Sequence, residues 1–375
     1  MQKTIVFFLF IFLAENTVLA KEHTNPELQK LDSIAFAALE SNSGSAMQDA
    51  QNLLVGSLKV KPSFYRVNAY TLLGILNKNK GFYLTAIDWY LKALNAAELI
   101  HDDARKSACL NNIGMIFQLQ EKHEQAIHYF NQSLEIEKKL KEPLQQSIRY
   151  YNIGESYKLM RKFDLALTFL TNSLLIERKA KNVEGILYAE LGLADIYIRI
   201  NRLTDAQMTI QHVDQTISAS AGEENIMLAK LKGEISFKQK QFDDALIYFQ
   251  KAEILSNKYG IKTHLSSLFR MQISVFKAKG DWQKAIVKYD EYIALNDEIN
   301  SLHIRNQLDD LSFRNEMSKK DLELELVQEE RDLAKKNENA EKQLRVYAQK
   351  IIWFVVILIL VCVGALIWGL KKIVN

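Results

Sequence analysis

The sequence predicts an all-α protein built from repeated helix pairs, and three observations lead to that prediction. First, the 375-residue chain has 3 proline and 14 glycine residues, so residues that end helices and form turns are scarce. Second, apolar residues recur at helical spacing. Third, an alanine returns at a nearly constant step along the chain. We therefore expect a solenoid of about six to seven repeats, each of about 40 residues.

Two positions with small residues define the repeat. From Ala46 onward the alanine recurs in steps of 40, 40, 40, 40, 39 and 40 residues, and the residue twelve positions earlier is usually glycine. The predicted structural positions are Gly74, Ala86, Gly114, Ala126, Gly154, Ala166, Ala194, Ala206, Gly233, Ala245 and Ala285. Glycine inside a helix costs about 1 kcal/mol. We therefore expect each glycine to face the alanine of the neighbouring helix and to let the two backbones cross closely.

Each repeat is predicted to contain two amphipathic helices joined by a short polar turn. In one repeat, Ile113 and Phe117 lie on the apolar stripe of the first helix, and Ile127 and Phe130 lie on that of the second. The polar residues 120–123 separate the two helices. One pair cannot bury its apolar face alone, so the stack of pairs is expected to fold as a unit.

These segments resemble the tetratricopeptide repeat family. The stretches Asn111–Phe117 and Tyr151–Tyr157 are similar to its first-helix signature, and Ala126 with Phe130 is similar to its second-helix signature. The resemblance covers residues 28–300. The period is longer than the usual ~34 residues and resembles the subgroup with extended helices. The resemblance implies a helical-hairpin solenoid with a concave groove lined by the first helices.

Two apolar segments near the chain ends predict export and membrane insertion. Residues 1–20 combine an early lysine, an apolar run and small residues before Lys21, as in a cleaved signal peptide. Residues 351–370 contain no charge and match the length of a transmembrane helix. Residues 371–375 would form a short cytoplasmic tail. This organisation predicts a single-pass protein of the bacterial inner membrane, with its repeats in the periplasm and its C-terminus in the cytoplasm.

Residues 301–350 are predicted to form one long charged helix. The segment lacks glycine and proline and is rich in helix formers. Leu326, Leu333, Ala340 and Tyr347 recur every seven residues, but the partner positions of that heptad are polar. Two interpretations stay open: a solvated single helix, or a coiled-coil stalk that forms a homodimer through residues 301–370.

The sequence argues against most kinds of chemistry. No pair of glycines is closer than Gly364 and Gly369, so a Gly-x-Gly phosphate loop is excluded, and two cysteines are too few for a disulfide framework or a cysteine-based zinc site. The net charge of +3 gives no reason to expect nucleic-acid binding. His123 and His128 are five residues apart, which places them badly for sharing a metal on a helix. We expect no enzyme activity, no cofactor and no metal.

The candidate site is the predicted groove. In the long-repeat subgroup, the resemblance implies that an asparagine two positions before the small residue contacts the backbone of a bound peptide, and Asn112 and Asn152 match that position. Residues expected on the same face offer amide groups and mixed charges for peptide recognition. They are Asn111, Tyr151, Glu155, Lys158, Tyr188, Asp195 and Arg199. The expected ligand is a protein or peptide.

The order of these segments resembles bacterial one-pass receptors in which a periplasmic tetratricopeptide array precedes a cytoplasmic histidine kinase or a helix-turn-helix regulator. Residues 371–375 leave no room for such an output domain. The first hypothesis is a membrane-anchored interaction scaffold, the sensing or adaptor part of a signalling system that acts through a separate kinase or regulator. The alternative is a truncated receptor whose output domain is missing or separately encoded.

Overall fold

The computed structural model describes residues 25–218 and 222–315, together with Ser318, Lys319, Lys336, Lys342 and Gly364. Within these residues the regular structure is helical. The helices are α1 (Pro26–Glu40), α2 (Ala46–Leu58), α3 (Phe64–Asn79), α4 (Tyr83–Leu99), α5 (Asp103–Leu119), α6 (His123–Leu140), α7 (Pro143–Leu159), α8 (Phe163–Ala180), α9 (Val183–Arg199), α10 (Leu203–Thr216), α11 (Glu223–Lys238), α12 (Phe242–Tyr259), α13 (Lys262–Lys279) and α14 (residues 282–315).

The helices form successive pairs, which confirms the predicted all-α repeat architecture. Each second helix from α4 to α12 begins three residues before an alanine of the predicted register, and α14 begins three residues before Ala285. Those alanines are fully or almost fully buried: Ala86, Ala126, Ala166, Ala206, Ala245 and Ala285. A buried methyl group at this point lets the second helix lie close to the first, so the alanine period reflects the packing within each pair.

The repeat glycines accommodate a large side chain as well as the backbone of the neighbouring helix. A methyl group added to Gly114 would lie 2.6 Å from Cε1 and 2.7 Å from Cδ1 of Phe130. The same relation, sixteen residues apart, holds in three further pairs: Gly74 with Tyr90, Gly154 with Leu170 and Gly233 with Phe249. The glycine therefore also leaves room for the ring or branched side chain that fills the centre of the pair, in addition to the close approach of the backbone at Ala126, whose carbonyl oxygen would lie 3.2 Å from the methyl group at Gly114.

The turns between helices reach left-handed backbone conformations mostly without glycine. In the turn within a pair, φ is +59° at Glu121, +60° at Arg161, +62° at Asn201 and +62° at Lys240. Residues with a Cβ adopt this region at a moderate cost. The chain can therefore close its many turns while containing little glycine.

The first helices lie on the inner side of the curve. Direct contacts between successive pairs join α1 to α3, α3 to α5, α5 to α7, α7 to α9, α9 to α11 and α11 to α13. Each second helix also packs against the first helix of the next pair. An array whose first helices touch one another more closely than its second helices curves toward the first helices, which then line the concave face.

The last helix packs along α13 and continues beyond it. Lys262 Nζ of α13 lies 2.5 Å from Glu298 Oε1, and Ser266 Oγ donates to Asn296 Oδ1 at 3.0 Å. The chain divides into two units with the boundary after Asp310, and the first unit contains α1 to α13 and α14 as far as Asp310.

The structure corrects the predicted localisation. Among the described residues, none of the helices combines the length and the apolar character needed to cross a membrane. A membrane-spanning helix needs about 20 consecutive apolar residues, whereas the helices of the array interrupt their apolar stripes with polar residues at almost every turn. The assignment to a bacterial inner membrane, with periplasmic repeats and a cytoplasmic C-terminus, is contradicted by this finding.

Four predicted segments fall largely or wholly on residues that the structure does not describe. The signal peptide, residues 1–20, lies outside the described residues. So does the apolar segment 351–370 except for Gly364, and so does the tail 371–375. The charged segment 301–350 is described as helix up to residue 315 and at four isolated positions beyond it, so the proposed coiled-coil stalk stays a prediction.

Candidate functional site

The structure places the predicted site residues on three successive first helices, α5, α7 and α9. Eight of the nine predicted residues make direct contacts in three adjacent groups on the inner face, namely an amide pair, a tyrosine pair and a set of ion pairs, which together we call the inner row. Its members are Asn111, Tyr151, Asn152, Glu155, Lys158, Tyr188, Asp195 and Arg199.

The inner row begins with an amide pair that joins α5 to α7. Asn152 Nδ2 donates to Asn111 Oδ1 at 2.9 Å. Asn111 Nδ2 has a weaker acceptor, Met115 Sδ, at 3.6 Å. A thioether accepts hydrogen bonds poorly, so the Asn111 amide is free to exchange this contact for a carbonyl group of a ligand.

Two tyrosines extend the inner row from α7 to α9. The rings of Tyr151 and Tyr188 meet edge to face with their centroids 6.2 Å apart. Burial raises the pKa of Tyr188, and its phenol group is also hydrogen-bonded to the carboxylate of Glu224 on α11. Burial, followed by the charge of Glu155, raises the pKa of Tyr151. Both phenols therefore remain neutral donors at physiological pH.

Ion pairs continue the inner row across α7 and α9. Lys158 Nζ lies 2.8 Å from Glu155 Oε2 and 3.1 Å from Asp195 Oδ2. Arg199 Nε donates to Asp195 Oδ1 at 2.8 Å. Burial acts to raise the pKa of Asp195, but the charges of Lys158 and Arg199 outweigh it and hold that pKa at about 2. Asp195 is therefore ionised across the physiological range and links the two helices.

The same row continues onto α11 through residues that the sequence analysis did not select. Lys230 Nζ lies 3.7 Å from Glu234 Oε1. Burial raises the pKa of Glu234. The charges of Lys230 and Arg199 act to lower that pKa, and the charge of Asp195 acts to raise it. A usable signal was present in the sequence: Glu155, Asp195 and Glu234 each follow the small residue of their repeat by one position. Reading that position across repeats would have found the third acid.

One end of the row is acidic. Burial, together with the charge of Glu224, raises the pKa of Glu184 to about 7. Glu223 Oε1 lies 3.2 Å from His264 Nε2 on α13. Including Glu155, Asp195 and Glu234, six acidic side chains lie along this face with three basic ones, Lys158, Arg199 and Lys230. The face therefore favours a ligand with positive charge.

The ninth predicted residue, Asn112, is buried to the same extent as Asn111, at 6% and 7% exposure. Among the described residues, the hydrogen bonds and ion pairs of the inner row pass through Asn111 rather than Asn112. The two adjacent asparagines point in different directions on the helix because successive residues differ by about 100°. The amide pair that forms is thus Asn111 with Asn152.

A second polar group occupies the inner face of the first helix pairs. Asn68 Nδ2 on α3 donates to Asp32 Oδ1 on α1 at 3.0 Å, and Arg105 Nε on α5 donates to Asn68 Oδ1 at 3.1 Å. Burial raises the pKa of Asp32 to about 6. The sequence analysis missed this group because its members occupy different positions of the repeat.

The described residues contain no group of three or more histidine, cysteine, aspartate or glutamate side chains that could hold a metal ion. Cys109 is buried, and burial raises the pKa of its thiol to about 12. What the inner row offers is hydrogen-bonding and charged groups at fixed positions, which is the chemistry of recognition.

Comparison with known proteins agrees with this architecture. A family model described as tetratricopeptide repeat matches residues 65–139, which contain most of α3 to α6. The chain carries tetratricopeptide repeats. The same register of buried alanines extends the tetratricopeptide array to Ala285. A comparison with curated proteins gives no match.

Several solved structures resemble the tetratricopeptide array. The apo form of RapI has a TM-score of 0.62 at 14% identity, covering 73% of this chain and 99% of that one. Rap protein complexed with Competence and Sporulation Factor has a TM-score of 0.58 at 13% identity, covering 80% and 83%. NprR in complex with its cognate peptide NprX has a TM-score of 0.55 at 14% identity, covering 77% and 84%. At these identities the similarity concerns the fold.

Proposed function

We propose that the inner face of the tetratricopeptide array binds an extended peptide, either free or as a segment of a partner protein. The observation that supports this most directly is the inner row itself. It presents amide, phenol, carboxylate and ammonium groups along adjacent first helices, connected by hydrogen bonds and ion pairs. An extended peptide needs such a series of donors and acceptors because its backbone groups repeat along its length.

The geometry supplies groups for both parts of a peptide. Asn111 and Asn152 can exchange hydrogen bonds with backbone amides and carbonyls. The excess of acidic groups near Glu184 and Glu223 favours a basic side chain or a terminal amine at that end.

The similar structures support this proposal by analogy of fold. Two of them were solved with bound partners, namely Rap protein with Competence and Sporulation Factor and NprR with its cognate peptide NprX. The analogy favours a peptide ligand for this array, and the chemistry of the inner row provides the argument specific to this chain.

A sensing or adaptor role is part of this proposal. Lys158 connects Glu155 on its own helix with Asp195 on the neighbouring helix. A ligand that forms an ion pair with Lys158, Glu155 or Asp195 would change the interaction between α7 and α9. It would thereby alter the surface that the array presents to another protein. Binding, rather than turnover of a substrate, is the event that this site can perform.

Affinity selection with a library of synthetic peptides tests the proposal. We expect the full chain to retain a subset of peptides enriched in lysine or arginine. The double variant Asn111→Ala with Asn152→Ala should bind the selected peptides about 10-fold or more weakly, because two amide groups that meet the backbone are lost.

The matched control is Asn172→Ala, which removes an exposed asparagine from the second helix α8. It should bind as the wild type does. Equal affinity of the wild type and the double variant for every retained peptide, with both proteins folded by circular dichroism, would contradict the assignment of the site.

A further inference from the structure

The last helix, α14, is about twice as long as the other second helices. Those from α4 to α12 have between 14 and 18 residues. Helix α14 starts at the same register position and is helical from residue 282 to residue 315. At 1.5 Å per residue, its extra length is roughly 25 Å. The extension continues past the beginning of α13, where Lys262 pairs with Glu298.

The extension reaches a turn near the beginning of the array. Leu84 N donates to Asp310 Oδ2 at 2.8 Å, and Thr85 N and Thr85 Oγ1 donate to Asp310 Oδ1 at 3.2 Å and 2.5 Å. Asp310 is 2% exposed. The residue at the N-cap of α4, Phe82, provides no side-chain cap. A carboxylate from α14, more than 220 residues along the chain, therefore satisfies the free amides of α4.

The turn before α4 is adapted to this neighbour. Gly81 has φ +82°, and a methyl group added to it would lie 2.6 Å from Asn306 Nδ2 of α14. The equivalent positions of four other pairs hold residues with a Cβ at positive φ, namely Glu121, Arg161, Asn201 and Lys240. The backbone conformation alone therefore does not require glycine. Gly280, at the same position of the last pair, has φ +80° and open space around it.

We propose that α14 is a releasable brace that closes the array through a contact between Asn306 and Asp310 and the turn 81–85, which we call the closing contact. The contact joins the second pair of helices to the last pair. The helices α5, α7, α9 and α11 lie between these two anchored ends in the chain. Closure therefore restrains the curvature of the part of the array that contains the inner row.

The chemistry of the closing contact makes it reversible. It consists of hydrogen bonds to one carboxylate and a ring contact between Tyr83 and His303, whose centroids are 6.5 Å apart. The neighbouring apolar residues of α14 are exposed, Ile304 at 57% and Leu308 at 62%. With little apolar area buried there, the closed and open arrangements can exchange, and anything that binds one of them better will shift the population. This device does not depend on the nature of the ligand of the inner face.

Hydrogen–deuterium exchange on the full chain tests the brace. In Asp310→Ala, the amides of Leu84 and Thr85 should exchange at least ~10-fold faster than in the wild type, and residues 303–310 should also lose protection. The control Asp309→Ala removes the exposed neighbouring acid and should leave both regions unchanged. Exchange in α7 to α9 reports whether the array itself is still folded.

A second pair of variants separates the brace from general loss of stability. Gly81→Asn should open the closing contact by collision with Asn306, whereas Gly280→Asn introduces the same residue at the same φ into open space. Faster exchange of residues 303–310 in Gly81→Asn but not in Gly280→Asn is the expected result. Unchanged exchange at Leu84, Thr85 and residues 303–310 in both Asp310→Ala and Gly81→Asn would overturn the proposal.

Discussion

At the scale of single residues, the glycines of the first helices show that packing can leave no space even for a methyl group. At Gly114 the space that a methyl group would need is taken by the ring of Phe130, and the carbonyl oxygen of Ala126 lies 3.2 Å away. Neither the ring nor the backbone can move freely, because Phe130 is completely buried. Packing therefore favours glycine at position 114, although glycine is otherwise unfavourable inside a helix.

Gly114→Ala should accordingly destabilise the protein. Overpacking costs about 1–3 kcal/mol, while the better helix propensity of alanine returns about 1 kcal/mol, so a net loss is expected. Thermal unfolding followed by circular dichroism measures it. Gly44→Ala, where the added methyl group meets nothing within 4 Å, is the control. An unchanged melting temperature in Gly114→Ala would show that the pair can relax around the methyl group.

Glu184 should make the stability depend on pH. Its pKa in the folded protein, about 7, is above the ordinary value of 4.5, first because of burial and second because of Glu224. The folded state therefore binds more protons than the unfolded state between about pH 4.5 and 7. Stability should fall as the pH rises through this range, and Glu184→Gln should remove that part of the dependence.

Melting temperatures at pH 5 and pH 8 measure this effect. We expect Glu184→Gln to exceed the wild type by about 2 °C at pH 8 and to match it closely at pH 5. Glu124→Gln, which changes an exposed acid of α6, is the control. The same difference at both pH values would mean that the carboxyl group does not titrate in this range.

At the scale of helices, polar groups buried between neighbouring pairs hold the pairs together. Arg149 on α7 and Glu137 on α6 are 3% and 1% exposed, and their Nη2 and Oε1 atoms are 3.3 Å apart. Arg149 Nε also donates to Ser133 Oγ at 2.6 Å. Burial lowers the pKa of Arg149 to about 10 and raises that of Glu137, with their mutual attraction opposing both shifts.

Arg149→Met should therefore destabilise the array by about 3–5 kcal/mol, because Glu137 is left buried without its partner. The double variant Arg149→Met with Glu137→Met should lose much less than the sum of the two single variants. Urea unfolding of the four proteins completes the cycle. Additive losses would show that the two side chains do not interact in the folded state.

At the scale of the whole molecule, the period of the sequence was enough to predict the array, and the register of Ala86 to Ala285 matches the observed helix pairs. The reason is physical: every pair buries the same small residue against the same neighbour, so each repeat leaves the same signal. The turns were harder to predict, since Glu121, Arg161 and Lys240 reach positive φ without being glycine.

Contacts between distant parts of the chain could not be predicted from the period. The closing contact joins Asp310 to Leu84 and Thr85, and no local pattern relates these residues. The inner row was predicted in part, because face and register follow from helical geometry, but the choice of Asn111 over Asn112 depends on how α5 and α7 rotate against each other. The predicted localisation was wrong because it was inferred from terminal segments rather than from the array.

Site-directed photocrosslinking is the most direct test of peptide binding by the inner face. A photoreactive residue would replace Arg199, which is exposed at the end of the inner row, or Lys179, which is exposed on the second helix α8. Each full-length protein would be illuminated with a peptide obtained by affinity selection. We expect strong crosslinking from position 199 and little from position 179. Crosslinking from position 179 with none from position 199 would contradict binding by the inner face.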